Sequence, residues 1–139
     1  MRLIINGERL IKDLRQDFNL AYPFLQLEFF DNVNTRKARY PALKRIDHEK
    51  TLGEAWIPKV QKGFIEINDS TTVLNLETVL MDEFGLSAQV FRRSGNIWLE
   101  TTMTDDWTLK QQNDHGREIS LSYGDENQEY NDFDLNRDV

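Results

Sequence analysis

The stretch that decides the fold is residues 63–90, which read GFIEINDSTTVLNLETVLMDEFGLSAQV. Residues 64–67 are typical of a strand, and the polar side chains of residues 68–72 supply a turn and a helix N-cap. Apolar residues then recur at intervals of three and four until Gly85, which is a typical helix C-cap. Because residues 87–92 alternate, the stretch predicts a strand, a helix and a second strand.

The N-terminus shows a similar order. Residues 3–5 predict a strand, residues 8–18 a helix and residues 24–30 a strand. The two units are comparable in sequence, since Ile5-Asn6 corresponds to Ile67-Asn68 and Leu25-Gln26-Leu27 to Ala88-Gln89-Val90. We therefore predict an α+β fold of two βα-type units that form one mostly antiparallel sheet with helices on one face, which is a ferredoxin-like arrangement. A β-grasp fold built on the second unit is the alternative.

The remaining segments complete one predicted domain, residues 1–123. Residues 32–63 form a long basic connection that holds a capped helical turn at residues 51–56. Ser94-Gly95-Asn96 predicts a hairpin turn, and Thr104 or Asp105 then caps a short helix that ends near Asn113 or Gly116. Residues 118–123 predict a last strand. The acid-rich composition of residues 124–139 predicts a disordered tail.

Charge is distributed unevenly along the 139 residues, whose formal net charge is −7. Residues 32–63 contain eight Lys and Arg against three acids, whereas residues 104–139 contain ten acids against three bases. An acidic chain with a basic middle is not expected to bind nucleic acid or anionic membranes non-specifically. No apolar run approaches the roughly 20 residues that a membrane span needs, and the first residues do not resemble a signal peptide. We expect a cytoplasmic protein.

Residues 84–113 carry one resemblance. Phe84-Gly85-Leu86, Gln89-Val90-Phe91-Arg92, Trp98-Leu99-Glu100-Thr101-Thr102 and Thr104-Asp105-Asp106-Trp107-Thr108-Leu109, with Ser94-Gly95 and Gln112-Asn113, resemble an uncharacterised family of small bacterial proteins. This resemblance covers about a quarter of the chain. It implies a bacterial origin and carries no activity, cofactor or catalytic residue.

Motifs that would support catalysis are absent from the sequence. The chain has no cysteine, no Gly-x-Ser-x-Gly elbow and no phosphate-binding glycine motif. His48 and His115 are far apart in the chain and lack metal-ligand spacing, so each is expected to be an exposed loop histidine. We predict a protein that is not an enzyme, with no cofactor and no metal.

Basic and aromatic residues supply the candidate binding site. Another protein is the predicted partner, because separated charges steer and select protein partners. The alternative is single-stranded nucleic acid, bound weakly by the basic segment and the hairpin through phosphate contacts and base stacking. The candidate partner-binding residues are Arg36, Lys37, Arg39, Lys44, Arg45, Arg92, Arg93 and Trp98.

Overall fold

The computed structural model describes residues 1–30, 45–55 and 62–130, with only the backbone described at residues 62 and 122–130. The strands are β1 (Arg2–Asn6), β2 (Leu25–Phe30), β3 (Lys62–Glu66), β4 (Ser87–Ser94) and β5 (Ile97–Glu100). The helices are α1 (Ile11–Ala21), α2 (Leu52–Ala55), α3 (Val73–Phe84) and α4 (Leu109–Tyr130), and Thr102–Thr104 form a 3-10 turn. The predicted α+β class is confirmed.

The described strands form two antiparallel sheets rather than one. β1 pairs with β3, and β4 lies between β2 and β5. Leu3 lies opposite Ile65 in the first sheet, and Leu27 lies opposite Val90 in the second. The predicted single sheet is therefore wrong for these strands, and a ferredoxin-like topology is not confirmed. The physical reason is that each strand of the first unit pairs with its equivalent in the second unit, which divides the strands between two sheets.

The two units share backbone hydrogen bonds as well as sequence. Each unit has two helices, and the backbone N–H of the first residue of each helix donates to a carbonyl near the start of the other helix. The matched bonds, donor N–H first, are Ile11 to Lys50 with Val73 to Trp107, and Leu52 to Arg9 with Leu109 to Thr71, at 2.8–3.1 Å. Because equivalent strands also pair antiparallel, the two units have the arrangement that a twofold axis between them would generate. The structure thus supports the repeat that the sequence indicates.

One apolar core joins the two units. Buried residues of α1 and α3 occur at the predicted helical spacing, and both sets belong to the same cluster as the inward side chains of the strands. Each fully buried aliphatic side chain contributes roughly 1.5–3 kcal/mol relative to an exposed one. The buried members from the helices are Ile11, Leu14, Phe18, Val73, Leu76, Leu80 and Phe84.

Several predicted helix caps are confirmed. The Thr72 hydroxyl accepts a hydrogen bond from the Asn75 N–H at 3.1 Å and caps α3. Gly85 ends α3 with φ 67°, the left-handed conformation that glycine adopts without a Cβ clash. Thr51 and Glu54 form a reciprocal capping box at α2, since each side chain bonds to the other residue's N–H.

Two of the C-terminal predictions, the helix cap and the last strand, are wrong. The helix cap is Thr108, which exchanges hydrogen bonds with Gln111, and not Thr104 or Asp105. α4 continues from Leu109 to Tyr130, so the predicted strand at residues 118–123 is not present, and the predicted disordered tail from residue 124 is not confirmed. The helix was predicted to end near Gly116, but this glycine lies within α4, where it allows the helix to pack closely against β4. The rest of the predicted tail, residues 131–139, lies outside the described residues.

No helix in the described ranges is both long enough and apolar enough to cross a membrane.

Candidate functional site

A groove of about 360 Å³ lies between α1 and the outer face of the three-stranded sheet. Gln26 and Arg93 are on this face because the alternation of β2 and β4 turns Leu27 and Val90 into the core. α1 supplies Lys12, Arg15, Gln16 and Asn19 to the lining. Pro23, Gln26, Arg93 and Trp98 complete it.

The groove carries positive charge. Three cationic side chains line it, and none of the described lining residues has a carboxylate. Among the described residues, the Lys12 ammonium forms only an exposed ion pair with Glu49, at 3.4 Å, which contributes little to holding it in place. The groove therefore suits a ligand with negative charge.

Arg93 and Trp98 form the wall of the groove that the hairpin provides. They lie opposite each other in the β4–β5 ladder, and the Arg93 guanidinium carbon is 5.7 Å from the centre of the Trp98 ring. The Arg93 Nε–H donates to the Gly95 carbonyl at 2.8 Å. Its two terminal nitrogens have no partner among the described residues, so they are available to a carboxylate or a phosphate.

Arg15 is held in place by a buried carboxylate behind the groove. Glu28 is 1% exposed and accepts hydrogen bonds from Arg15 Nη2 at 2.9 Å and from Gln26 Nε2 at 2.7 Å. His48 Nε2 lies 2.7 Å from the other Glu28 oxygen, and Arg45 Nε lies 3.6 Å from it. Arg15 Nε also donates to the Leu27 carbonyl at 2.8 Å. Each nitrogen of the Arg15 guanidinium thus has a hydrogen-bond partner, and these bonds hold the side chain in place in the groove wall.

The state of His48 follows from its neighbours. Arg15 Nη1 lies 3.1 Å from Nδ1 of His48, and arginine can only donate, so Nδ1 accepts. Nε2 then carries the hydrogen and donates to Glu28. With both ring nitrogens engaged, His48 connects its loop to Arg15 on α1 and to Glu28 on β2. The expectation of an exposed loop histidine is wrong for His48, and it is also wrong for His115, which is half-buried on α4 with its ring 5.5 Å from that of Trp107.

Several residues predicted for partner binding lie in different places. Arg93 and Trp98 are brought together in the groove, and Arg45 is next to Glu28. Arg92 points to the opposite face, where its Nη1 donates to Gln112 at 2.8 Å and burial lowers its pKa. Arg36, Lys37, Arg39 and Lys44 lie outside the described residues.

Lys12, Arg15 and Gln26 were not predicted from the sequence to be site residues. The available signal was Glu28, a carboxylate in the otherwise apolar run FLQLEFF. A buried carboxylate needs cationic or hydrogen-bonding partners. The sequence does not indicate that α1 supplies one, because Arg15 is distant from Glu28 along the chain.

A second carboxyl group, which is half-buried, lies beside β4. Glu77 on α3 accepts a hydrogen bond from the Val90 N–H at 2.9 Å, and the Thr101 hydroxyl donates to the Val90 carbonyl at 2.8 Å. Burial raises the pKa of Glu77 to about 7, against the effect of that hydrogen bond and with a further contribution from Asp105. These two side chains satisfy the backbone of β4 beyond the end of its pairing with β5.

Replacing Glu77 by glutamine should change the pH dependence of stability. The folded chain keeps a proton on Glu77 between pH of about 4.5 and about 7, where the unfolded chain has released it. The free energy of unfolding of the wild type therefore falls as pH rises through this window. We expect the wild type to lose about 1–2 kcal/mol more than Glu77→Gln between pH values near 5 and near 8, because partial hydration reduces the effect.

Urea unfolding at the two pH values measures this difference. Glu83→Gln is the matched control, since Glu83 is exposed on the same helix and should leave the pH dependence as in the wild type. Equal pH dependence for Glu77→Gln and the wild type would show that Glu77 does not hold the extra proton.

Comparisons with protein-family models, with curated proteins and with solved structures gave no match for this chain. The resemblance of residues 84–113 to an uncharacterised bacterial family stays a prediction.

Proposed function

We propose that this chain is a non-catalytic protein-binding module that holds an acidic segment of a partner protein in the groove between α1 and the β4–β5 hairpin. The observation that carries the proposal is the pairing of Arg93 with Trp98 opposite Lys12 and Arg15, in a groove whose described lining has no carboxylate. Carboxylates form charge-assisted hydrogen bonds with such cations. A bacterial cytoplasmic setting, expected from the sequence, stays a prediction.

The geometry favours a protein ligand over single-stranded nucleic acid. The Arg93 guanidinium already lies against the Trp98 ring, so an incoming base has to compete with it for that aromatic face. Glu100 lies opposite Phe91, two positions from Trp98, and puts a carboxylate beside the path of a phosphate backbone. A short acidic peptide needs only one or two of the available cations.

Charge reversal at Arg93 is expected to weaken the binding of an acidic peptide at least roughly tenfold, since a charge-assisted bond is replaced by repulsion. The probe is the fluorescently labelled peptide Ser-Val-Asp-Val-Asp-Val-Ser-Val, titrated with the full chain and followed by anisotropy. Arg93→Glu is compared with Arg117→Glu, because Arg117 is exposed on α4 and does not line the groove. Near-ultraviolet circular dichroism checks that both variants are folded.

Two outcomes would overturn the proposal. One is equal affinity of the wild type and Arg93→Glu for the peptide. The other is binding of a labelled oligouridine in preference to the peptide, with a steep dependence on salt, which would favour the nucleic-acid alternative.

A further inference from the structure

We infer that the outer edge of β5 accepts an extended segment of the partner protein as an added strand, with apolar side chains alternating with carboxylates. This inference rests on the proposed function and concerns the hairpin wall of the groove: the partner's backbone pairs with the edge of β5 that faces away from β4, and its carboxylates extend over Trp98 toward Arg93. It depends on backbone groups of Trp98 and Glu100, on the exposed side chains of Ile97 and Leu99, and on the charge of Arg93.

The hairpin turn determines which backbone groups of β5 point outward. Gly95 has φ 68°, whereas Asn96 has negative φ, because every described residue with positive φ is a glycine. Gly95-Asn96 therefore fits a type II′ turn. In such a hairpin the residues flanking the turn, Ser94 and Ile97, bond to each other. Hydrogen bonding then alternates along the ladder. The N–H and C=O groups of Trp98 and Glu100 therefore point away from β4.

Elsewhere in the same sheet, outward carbonyl groups of β2 and both backbone groups of Val90 have hydrogen-bond partners. On the outer edge of β2, the carbonyls of Leu25, Leu27 and Phe29 accept hydrogen bonds from Asn19, Arg15 and Ile46, respectively, at 2.8–2.9 Å. The Val90 N–H and carbonyl bond to Glu77 and Thr101. Within the described residues, the outward groups of Trp98 and Glu100 have no such partner. An unprotected edge of this kind is a template for another strand.

Side chains on the two faces of β5 define the chemistry of the added strand. Ile97 is 53% exposed and Leu99 is 39% exposed, and both lie on the face opposite Trp98. Apolar side chains at alternate positions of the partner would cover them. The intervening side chains of the partner lie on the same face as Trp98, where the free nitrogens of Arg93 favour a carboxylate. Glu100 disfavours a second carboxylate at its own end of the strand.

A polypeptide of another protein fits this edge better than other ligands do. A row of alternating N–H and C=O groups is matched by an extended peptide backbone, whereas nucleic acid offers phosphate oxygens without the corresponding donors. Pairing with a second copy of the chain would bring together two molecules that each carry a net charge of −7. That repulsion opposes a symmetric contact between edges.

Methylation of alternate peptide nitrogens tests the inference without altering the protein. In an added strand, only every second N–H of the peptide faces β5. We compare the probe peptide N-methylated at its valines with the same peptide N-methylated at its serines and aspartates. Expected is at least a roughly tenfold loss of affinity for one set and less than about threefold for the other, since only one set removes bonds to β5.

Each result separates the two proposals. If both methylated peptides bind like the unmodified one, strand addition is overturned while the proposed function stands, provided that Arg93→Glu still weakens binding. Equal losses for both sets also overturn strand addition. If the unmodified peptide does not bind, the proposed function fails and this inference fails with it.

A protein variant provides a second measurement. Glu100→Pro removes an N–H that points outward and leaves the bonds between β4 and β5 in place, whereas the control Glu100→Ala removes the side chain alone. We expect about a tenfold weaker affinity for Glu100→Pro than for Glu100→Ala. Equal affinities of the two folded variants would overturn the inference.

Discussion

Replacing Glu28 by alanine is expected to lower the free energy of unfolding by about 3–5 kcal/mol, the usual cost of breaking a buried ion pair from one side. Glu28 is 1% exposed and neutralises Arg15, whose side chain is only 21% exposed. Without the carboxylate, the Arg15 Nη2 and His48 Nε2 donors lose their acceptor. Arg15 also loses the contact that holds it against β2, so the groove should lose its shape together with its stability.

Urea unfolding followed by tryptophan fluorescence measures the loss. Glu66→Ala is the control, because Glu66 is 58% exposed and pairs with Arg2 at the surface, and its loss should cost less than about 0.5 kcal/mol. Glu28→Gln should fall between the two, since an amide keeps an acceptor but no charge. If Glu28→Ala is as stable as Glu66→Ala, the carboxylate is not the structural centre of this cluster.

Local patterns in the sequence predict the parts of the fold that depend on near neighbours. The intervals of apolar residues in α3, its cap at Thr72 and its end at Gly85 depend on contacts within one or two helical turns. The same holds for Thr51 with Glu54 and for the Gly95 turn. The repeat was also visible, because equivalent turns begin with Asn6 and Asn68.

The pairing of strands from one unit with strands from the other could not be predicted from such local patterns. Strand alternation identifies which face of β2 and β4 is buried but not which strand lies beside which, and so the prediction of one sheet was wrong. The groove was missed for a related reason. Arg15 and Glu28 meet only because α1 packs along β2, and no spacing between them marks that contact.

The two units differ in one side chain that contacts the backbone of the three-stranded sheet. Arg15 in the first unit donates to the backbone of β2, and Glu77 in the second unit accepts from the backbone of β4. Each is the fifth residue of its helix, Arg15 on α1 and Glu77 on α3, and the two side chains are of opposite charge type. The two units therefore share a scaffold but place different side chains beside it: Arg15 lines the groove beside α1, whereas Glu77 lies against β4 in the second unit.

Gly116 determines where α4 passes the hairpin, and Gly116→Leu is expected to lower the free energy of unfolding by about 3 kcal/mol through overpacking. A Cβ at this position would lie 2.9 Å from Arg92 Cγ, 3.1 Å from the Arg93 carbonyl oxygen and 3.1 Å from Phe24 Cβ. The backbone oxygen cannot move without disturbing β4. Although leucine is a better helix former than glycine by about 0.8–1 kcal/mol, the clash is expected to outweigh that gain.

The same substitution should also affect binding, because α4 supports the hairpin that carries Arg93 and Trp98. The Gly95 N–H donates to the Ser120 hydroxyl at 3.2 Å, one helical turn beyond Gly116. Thermal unfolding and peptide anisotropy of Gly116→Leu are compared with those of Arg117→Leu, an exposed neighbour on the same helix that should change stability by less than about 0.5 kcal/mol. Wild-type stability of Gly116→Leu would mean that α4 does not pack against β4 at this residue. A destabilised variant with unchanged peptide affinity would show that the hairpin holds its geometry without the helix.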